Sequence, residues 1–140
     1  MKKISPESYS KGQDVSLILL RMTLGAIFLY AGVMKFAMWG MQPSAAMPEG
    51  MLMLMKFLAI TETLGAIALI IGFLTRWAAL GLLIIMTGAI ALMQFMLGVG
   101  FATDTGAGWN FPLMVLGGCA VLMAFGSGKW SLESKVAWAK

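Results

Sequence analysis

The stretch FLAITETLGAIALIIGFLTR (residues 57–76) carries a single carboxylate, Glu62, near the middle of an otherwise apolar run. The whole chain of 140 residues is 60% hydrophobic and 11% charged, and its mean hydropathy is +0.88. Soluble domains are closer to half apolar and a quarter charged, so this composition is typical of a membrane protein. We therefore expect Glu62 to be surrounded by lipid and protein rather than by water.

Four apolar runs predict an all-α fold, an integral membrane four-helix antiparallel bundle. A helix needs about 20 residues to cross the hydrocarbon core, and continuous apolar runs lack the alternation of a membrane β-barrel. The predicted helices span about 15–38, 52–74, 77–97 and 110–126. A polar tail (1–14) and a C-terminal tail (131–140) flank a membrane domain assigned to 15–130.

The connections between the runs constrain how the helices pack. Thr75–Arg76 is a tight turn, which makes the second and third helices antiparallel neighbours. The first connection carries Pro43 and Pro48, which break helices, and the glycine-rich segment 98–108 is expected to be mobile.

Glycines recur seven residues apart within three of the runs, and this spacing places both members of a pair on one helix face. Small residues of this kind let membrane helices approach closely. We expect these faces to pack the bundle, and self-association through faces left unused is kept open. The pairs are Gly25 with Gly32, Gly65 with Gly72, and Gly81 with Gly88.

The basic residues predict the orientation of the chain in the membrane. Eight of the ten lysines and arginines fall on one side, and only Lys35 and Lys56 fall on the other. By the positive-inside rule, both termini should face the cytoplasm. Because these residues lie between apolar runs and form no stripe, topology explains the net charge of +4 and no nucleic-acid partner is predicted. The eight are Lys2, Lys3, Lys11, Arg21, Arg76, Lys129, Lys135 and Lys140.

Glu62 needs a partner, a proton, or a place in the bundle interior. A charge at bilayer mid-depth costs about 2.5–3.5 kcal/mol on insertion scales. At about 1.5 Å per residue, Glu62 lies in depth between Arg21 and Lys35, and either long side chain can reach toward it. A functional interpretation is a proton relay or an acceptor for a quinol hydroxyl. The structural alternative is a buried ion pair that fixes helix register.

Further polar residues gather toward the opposite end from Arg21. Gln94 closes the third predicted helix, and Trp109 and Asn110 open the fourth. Together with Lys35 and Glu62 they are candidates to line a ligand-binding cavity open to the extracytoplasmic side. The preferred explanation for Asn110 is an N-cap, with Pro112 in the first helical turn.

Cysteine and histidine usage excludes several chemistries for this chain. It contains no histidine and only Cys119, so His-ligated haem, His-based acid/base catalysis and an intrachain disulfide are not available. Cys119 is expected to be a packing residue, and the methionines to be apolar side chains rather than copper ligands. We predict no metal site and no built-in cofactor.

Three stretches together resemble the DoxX family of small bacterial four-helix membrane proteins. They are LLRMTLGAIFLYAGVMKF (19–36), TETLGAIALIIGFLTRWAALGL (61–82) and NFPLMVLGGCAVLMAFGSGKWSLES (110–134). The shared pattern is an early Arg, then AG-x-x-K, then a Glu in the second helix followed by G-x-x-T-R, and a closing G-x-G-K-W-S-L-E. The resemblance implies a multi-pass protein of the bacterial inner membrane.

The resemblance also suggests which residues and partners matter. It points to Arg21, Lys35, Glu62 and Arg76, and some relatives are similar to a subunit of thiosulfate:quinone oxidoreductase or are associated with redox and sulfur-stress complexes. The first hypothesis is thus a redox-complex subunit that binds quinone or a small sulfur anion beside other membrane subunits. The alternatives are a non-enzymatic scaffold or assembly protein, and a small-solute or proton-coupled permease.

Overall fold

The computed structural model describes residues 10–45, 47–104 and 106–136. Within these ranges the chain forms five α-helices and a small hairpin. The helices are α1 (Lys11–Phe36), α2 (Glu49–Ile71), α3 (Thr75–Ala91), α4 (Asn110–Phe125) and α5 (Leu132–Lys135). A 3₁₀ turn (Ala37–Gly40) follows α1, a π-helical turn (Leu92–Met96) follows α3, and the hairpin pairs β1 (Ala102–Thr103) with β2 (Gly106–Ala107).

Three helical segments are long and apolar enough to cross a membrane. They are Lys11–Gly40 with 30 residues, Glu49–Ile71 with 23 and Thr75–Met96 with 22. The apolar helix α4 is shorter, with 16 residues. These segments confirm the prediction of a helical, multi-pass membrane protein, because only closed hydrogen-bonded elements such as helices are stable in lipid.

The helices pack in neighbouring pairs, α1 on α2, α2 on α3 and α3 on α4, and α4 also contacts α1. On α1 the buried residues recur at helical spacing, which turns one face of that helix inward. The interior where the four helices meet is apolar, and Cys119 is buried in it as the packing residue that we predicted. Members of this core are Leu24, Phe28, Ala66, Leu69, Leu82, Val115, Cys119 and Leu122.

Gly25 and Gly32 bring α1 and α2 into close contact, as their spacing predicted. A β-carbon built on Gly25 would stand 2.5 Å from Cγ1 of Ile70. One built on Gly32 would overlap the side-chain oxygen of Thr63 and stand 2.9 Å from its backbone nitrogen. Because backbone atoms lie so near, no larger residue fits at position 32 without moving a helix.

The same prediction is wrong for α3. A β-carbon on Gly81 or Gly88 would meet nothing within 4 Å, so neither glycine packs against another part of the described chain. The helix turns these residues, together with Ile84, toward the outside of the molecule. Spacing alone identified a small-residue face but not which faces the fold uses.

The first helix begins earlier than the predicted position 15. Ser10 caps it, since its side chain accepts a hydrogen bond from the Gln13 amide and the Gln13 side chain accepts one from the Ser10 amide. This reciprocal capping box satisfies two amides that a helix start leaves without partners. Residues 11–14 are therefore helical, which corrects their assignment to a polar tail, and residues 1–9 lie outside the described structure.

The connection between α2 and α3 lies at residues 72–74 rather than at Thr75–Arg76. Gly72 takes a left-handed conformation (φ +70°) and ends α2, and Leu74 has φ +46° directly before α3. Glycine ends helices in this way because it has no β-carbon to strain. Because the sequence stays apolar on both sides of Gly72, the predicted end of α2 and the predicted start of α3 both came too late.

The connection predicted to be mobile and the predicted C-terminal tail both contain regular structure. The glycine-rich segment 98–108 holds the hairpin, in which Thr103 Oγ1 donates a 2.6 Å hydrogen bond to the carbonyl of Gly106. In the C-terminal tail, Ser131 accepts a hydrogen bond from the Ser134 amide and thereby caps α5. Residues 137–140 of that predicted tail lie outside the described structure.

Candidate functional site

Glu62 pairs with Lys35 across the contact between α1 and α2. The Nζ of Lys35 donates a 2.6 Å hydrogen bond to Oε2 of Glu62. The Glu62 side chain is 3% exposed and that of Lys35 is 21% exposed. Glu62 is thus enclosed by protein, and the lysine connects it to the outer surface of the helix pair.

The direction of the lysine side chain explains how this contact forms. Lys35 lies near the C-terminal end of α1, and long helical side chains point back toward the N-terminus. Its Nζ also donates a 3.3 Å hydrogen bond to the carbonyl of Ala31, one turn earlier. This direction brings the ammonium group to the level of Gly32, where the absent side chain lets α2 and Glu62 approach.

The threonines beside Glu62 bond to their own helix and not to the ion pair. Thr63 Oγ1 donates a 2.7 Å hydrogen bond to the carbonyl of Ala59, and Thr61 Oγ1 donates one of 3.0 Å to the carbonyl of Phe57. Both therefore have the structural role predicted for them.

Arg21 lies at the other end of the helix pair and meets carbonyl oxygens rather than Glu62. Its Nε donates to Leu69 (2.9 Å) and its Nη2 to Ile70 (3.0 Å), both in the last turn of α2. Its Nη1 donates to the carbonyls of Ser127 (2.8 Å) and Trp130 (3.0 Å), beyond α4. We call these four oxygens the Arg21 cradle. Of the two bases that could meet Glu62, the structure selects Lys35.

The Arg21 cradle joins three separate parts of the chain through one side chain that is only 2% exposed as a residue. The last carbonyls of a helix carry the negative end of its dipole, so a guanidinium group there is electrostatically favourable. Arginine suits this position because its planar fork has donors pointing in several directions. The cradle accounts for a buried arginine on α1 by packing and hydrogen bonding.

A carboxylate stabilises the start of α3, as Arg21 stabilises the end of α2. Glu133 Oε2 accepts a 3.3 Å hydrogen bond from the amide of Thr75, the first residue of α3, and the Glu133 amide donates to the carbonyl of Gly72 (3.0 Å). Negative charge is favourable at a helix N-terminus. The α2–α3 turn is thus flanked by Arg21 on its helix-ending side and Glu133 on its helix-starting side.

Gly72 leaves the space that this end of the molecule requires. A β-carbon there would stand 2.5 Å from Nη2 of Arg21 and 2.6 Å from Cβ of Ser131.

A further buried acid, Asp14, accepts a 3.0 Å hydrogen bond at Oδ1 from the amide of Lys129 and fastens the C-terminal segment to α1.

Asp14, Ser131 and Glu133 are important polar residues whose roles were not predicted, although Ser131 and Glu133 stand in the closing motif of the family resemblance. Asp14 was placed in a tail, although it belongs to a capping-box helix start. Ser131 and Glu133 stand in WSLES (130–134), where a serine followed by an acid is the pattern of a short helix start. That pattern was the available signal.

Arg76 lies at the same end of the molecule as Arg21. It is half-buried in the first turn of α3, and a β-carbon on Gly126 would stand 3.0 Å from its Nε. Gly126 directly precedes Ser127 of the Arg21 cradle, so Arg76 reaches toward the chain that leaves α4. The structure does not bring Arg76 together with the other predicted ligand-binding residues, Gln94, Trp109 and Asn110.

Gln94, Trp109 and Asn110 lie at the opposite end, around the hairpin. Gln94 is half-buried in the π-helical turn, and Trp109 packs edge-on against Phe101 with ring centroids 4.7 Å apart. Trp109 and not Asn110 occupies the N-cap position of α4, without a side-chain capping bond, which corrects the N-cap prediction. Within the described residues, Oδ1 of Asn110 is buried and has no hydrogen-bond partner.

A cavity of about 690 Å³ opens beside the Arg21 cradle. Its wall is formed by Arg21, Met22 and Ile71 of α1 and α2 and by Lys129, Leu132 and Lys135 of the segment after α4. This cavity is not the one predicted beside Lys35 and Asn110, which would lie toward the other end of α1 and α2. Among the residues that the structure describes, no group of three or more histidine, cysteine or acidic side chains is arranged to hold a metal.

The apolar helices and the enclosed ion pair define a polytopic helical membrane protein. A family model described as DoxX matches residues 16–95, which is more than half of the chain. The protein therefore belongs to the DoxX family, as the sequence motifs predicted. No curated protein and no solved structure matches the chain significantly.

Proposed function

We propose that this DoxX-family protein is a subunit or accessory of a membrane redox complex linked to quinone or sulfur chemistry. In this proposal α1 to α4 form a four-helix antiparallel bundle in the bacterial inner membrane, and both termini face the cytoplasm. The excess of basic residues on one side of the chain supports that orientation.

The observation that carries the proposal is the enclosed contact between Lys35 and Glu62. Ionisable residues inside a membrane protein are costly and mark ion, proton or ligand sites more often than chance. A carboxylate at this depth can accept the hydroxyl proton of a quinol, and an adjacent ammonium group can hold a quinone oxygen or a small sulfur anion. Lys35 is partly exposed, which gives a ligand access to the pair from the surface of the α1–α2 contact.

We assign electron transfer to a partner subunit. The chain has no histidine and a single cysteine, so it lacks the usual ligands of haem and iron–sulfur centres. Its own contribution is to bind and orient the quinone or anion and to exchange a proton at Glu62. Arg21 then acts as a positioning residue, because its hydrogen bonds hold α1 against the end of α2.

The test is thiosulfate-dependent quinone reduction by the complex purified with this subunit. Glu62→Gln keeps the shape of the side chain but removes the acid, and we expect it to lower turnover by about 100-fold or more, in the range of general acid–base effects. Glu49→Gln is the matched control, because Glu49 is an exposed carboxylate on the same helix. Wild-type turnover with Glu62→Gln, at equal subunit content, would refute the role of Glu62.

One observation favours a second function, a scaffold that binds other membrane subunits. On the outward face of α3, a β-carbon built on Gly81 or Gly88 would meet nothing within 4 Å, and Ile84 beside them is 61% exposed. Small residues allow another helix to approach closely. If this function is the correct one, Gly88→Leu will remove partner subunits from the purified complex, whereas Glu62→Gln will leave them in place.

A further inference from the structure

We propose that the cavity beside the Arg21 cradle is a binding site for an anionic phospholipid. The phosphate would lie between Lys129 and Lys135, and the first part of an acyl chain would lie along Met22, Ile71 and Leu132. This inference does not depend on the redox proposal, since it concerns the other end of the molecule and a different ligand.

The charges around the cavity fit an anion. Lys129 and Lys135 are exposed at its wall, and the buried Arg21 also lines it. The two nearby acids are engaged with backbone amides: Asp14 accepts a hydrogen bond from the Lys129 amide, and Glu133 accepts one from the Thr75 amide. Neither acid lines the cavity. Because the Glu133 carboxylate interacts electrostatically with Arg21, the positive charge offered to a ligand is that of Lys129 and Lys135.

The apolar part of the wall fits a lipid better than a small soluble anion. Met22 is 42% exposed, Ile71 46% and Leu132 44%, and all three face the same opening. Trp130, 74% exposed, stands at the rim, and amphipathic tryptophan side chains prefer the headgroup level of a membrane. A ligand with a charged head and an apolar tail satisfies both halves of this surface.

The position of the cavity in the fold supports the same ligand. It opens where α2 ends, at Ile70 and Ile71, and this is where a membrane-spanning helix leaves the hydrocarbon core. The volume of about 690 Å³ falls within the range of small-molecule sites, about 300–1,000 Å³. Basic pockets at this level of membrane proteins are known to receive the headgroups of anionic lipids.

The experiment uses the full chain purified in a non-ionic detergent and analysed by native mass spectrometry. Phosphatidylglycerol and phosphatidylcholine with identical acyl chains are titrated in parallel. We expect the wild type to bind one phosphatidylglycerol in clear preference to phosphatidylcholine. Each lysine near a membrane surface contributes about fivefold to the affinity for anionic lipid, so Lys129→Gln with Lys135→Gln should weaken binding by roughly 25-fold.

The matched control is Lys56→Gln, because Lys56 lies on α2 away from the cavity and its loss should leave phosphatidylglycerol binding unchanged. Both lysines of the double variant are exposed, so folding should persist and is checked by thermal melting. Equal affinity for the two lipids, or a double variant that binds like the wild type, would overturn the proposal. So would displacement of phosphatidylglycerol by inorganic phosphate alone at millimolar concentration, since the site would then recognise the free anion.

Discussion

The Nζ of Lys35 lies 2.6 Å from Oε2 of Glu62, and the pair joins the C-terminal half of α1 to the middle of α2. The Glu62 side chain is almost fully enclosed, so its charge has no water to solvate it and depends on the lysine. This contact and the Arg21 cradle join α1 to α2 at opposite ends of the two helices.

Breaking the ion pair from one side should be costly, whereas replacing both partners should not be. Lys35→Met leaves an uncompensated carboxylate in the interior, and we expect the free energy of unfolding in detergent to fall by about 3 kcal/mol. Replacing both residues by apolar ones, Lys35→Met with Glu62→Leu, should restore stability to within about 1 kcal/mol of the wild type. Equilibrium unfolding of both variants measures this, and equal losses in the two would contradict the pairing.

Gly32 should tolerate no side chain. Gly32→Ala places a methyl group against the backbone nitrogen of Thr63, and the resulting overpacking should lower the free energy of unfolding by about 1–3 kcal/mol. Gly88→Ala is the control, since a β-carbon there meets nothing and alanine is the better helix former. Similar melting temperatures for the two variants would show that α1 and α2 are not in close contact at this level.

Arg21→Lys should destabilise the protein although it keeps the positive charge. A single ammonium group cannot reach the four carbonyl oxygens of the cradle at once, and buried acceptors left without donors cost about 1–3 kcal/mol each. We expect a loss of at least about 2 kcal/mol, measured by chemical unfolding. Lys11→Met, an exposed cation on the same helix, should have little effect. If Arg21→Lys left the free energy of unfolding unchanged, the cradle would not hold the three parts of the chain together.

Glu133→Gln tests the cap on α3. The variant keeps a hydrogen-bond acceptor for the Thr75 amide but removes the negative charge at the helix N-terminus, so we expect a small loss of about 0.3–1 kcal/mol. Glu133→Ala removes the acceptor as well and should cost about 1–2 kcal/mol. Hydrogen exchange at the Thr75 amide should quicken in the same order, and unchanged exchange in both variants would remove Glu133 from this role.

The helices and the candidate partners of Glu62 could be predicted from the sequence because both depend on local pattern. Apolar runs of spanning length identify membrane helices, and helical rise places Lys35 and Arg21 on either side of Glu62 in depth. The sequence alone does not show which of the two bases, Arg21 or Lys35, meets Glu62. That choice depends on Gly32 opening the α1–α2 contact and on the α2 carbonyls occupying Arg21, which are contacts between residues distant in sequence.

The same limit explains the errors at the helix ends. Gly72 stands in an apolar run, and only its left-handed conformation and the packing of Arg21 and Ser131 against it mark it as the end of α2. Asp14 and Glu133 are polar residues near the ends of the chain, so composition assigns them to tails. Their partners, the amides of Lys129 and Thr75, are visible only in three dimensions.

The most direct test of the proposed function is quinone binding by the double variant Lys35→Met with Glu62→Leu, which we expect to fold as stably as the wild type. Binding of a short-chain quinone to the purified protein is measured by titration, with Glu49→Gln as the control. The proposal predicts that the stable double variant loses quinone binding by at least tenfold, while Glu49→Gln binds like the wild type. Wild-type affinity in the folded double variant would contradict it and leave Lys35 and Glu62 with the task of fixing helix register.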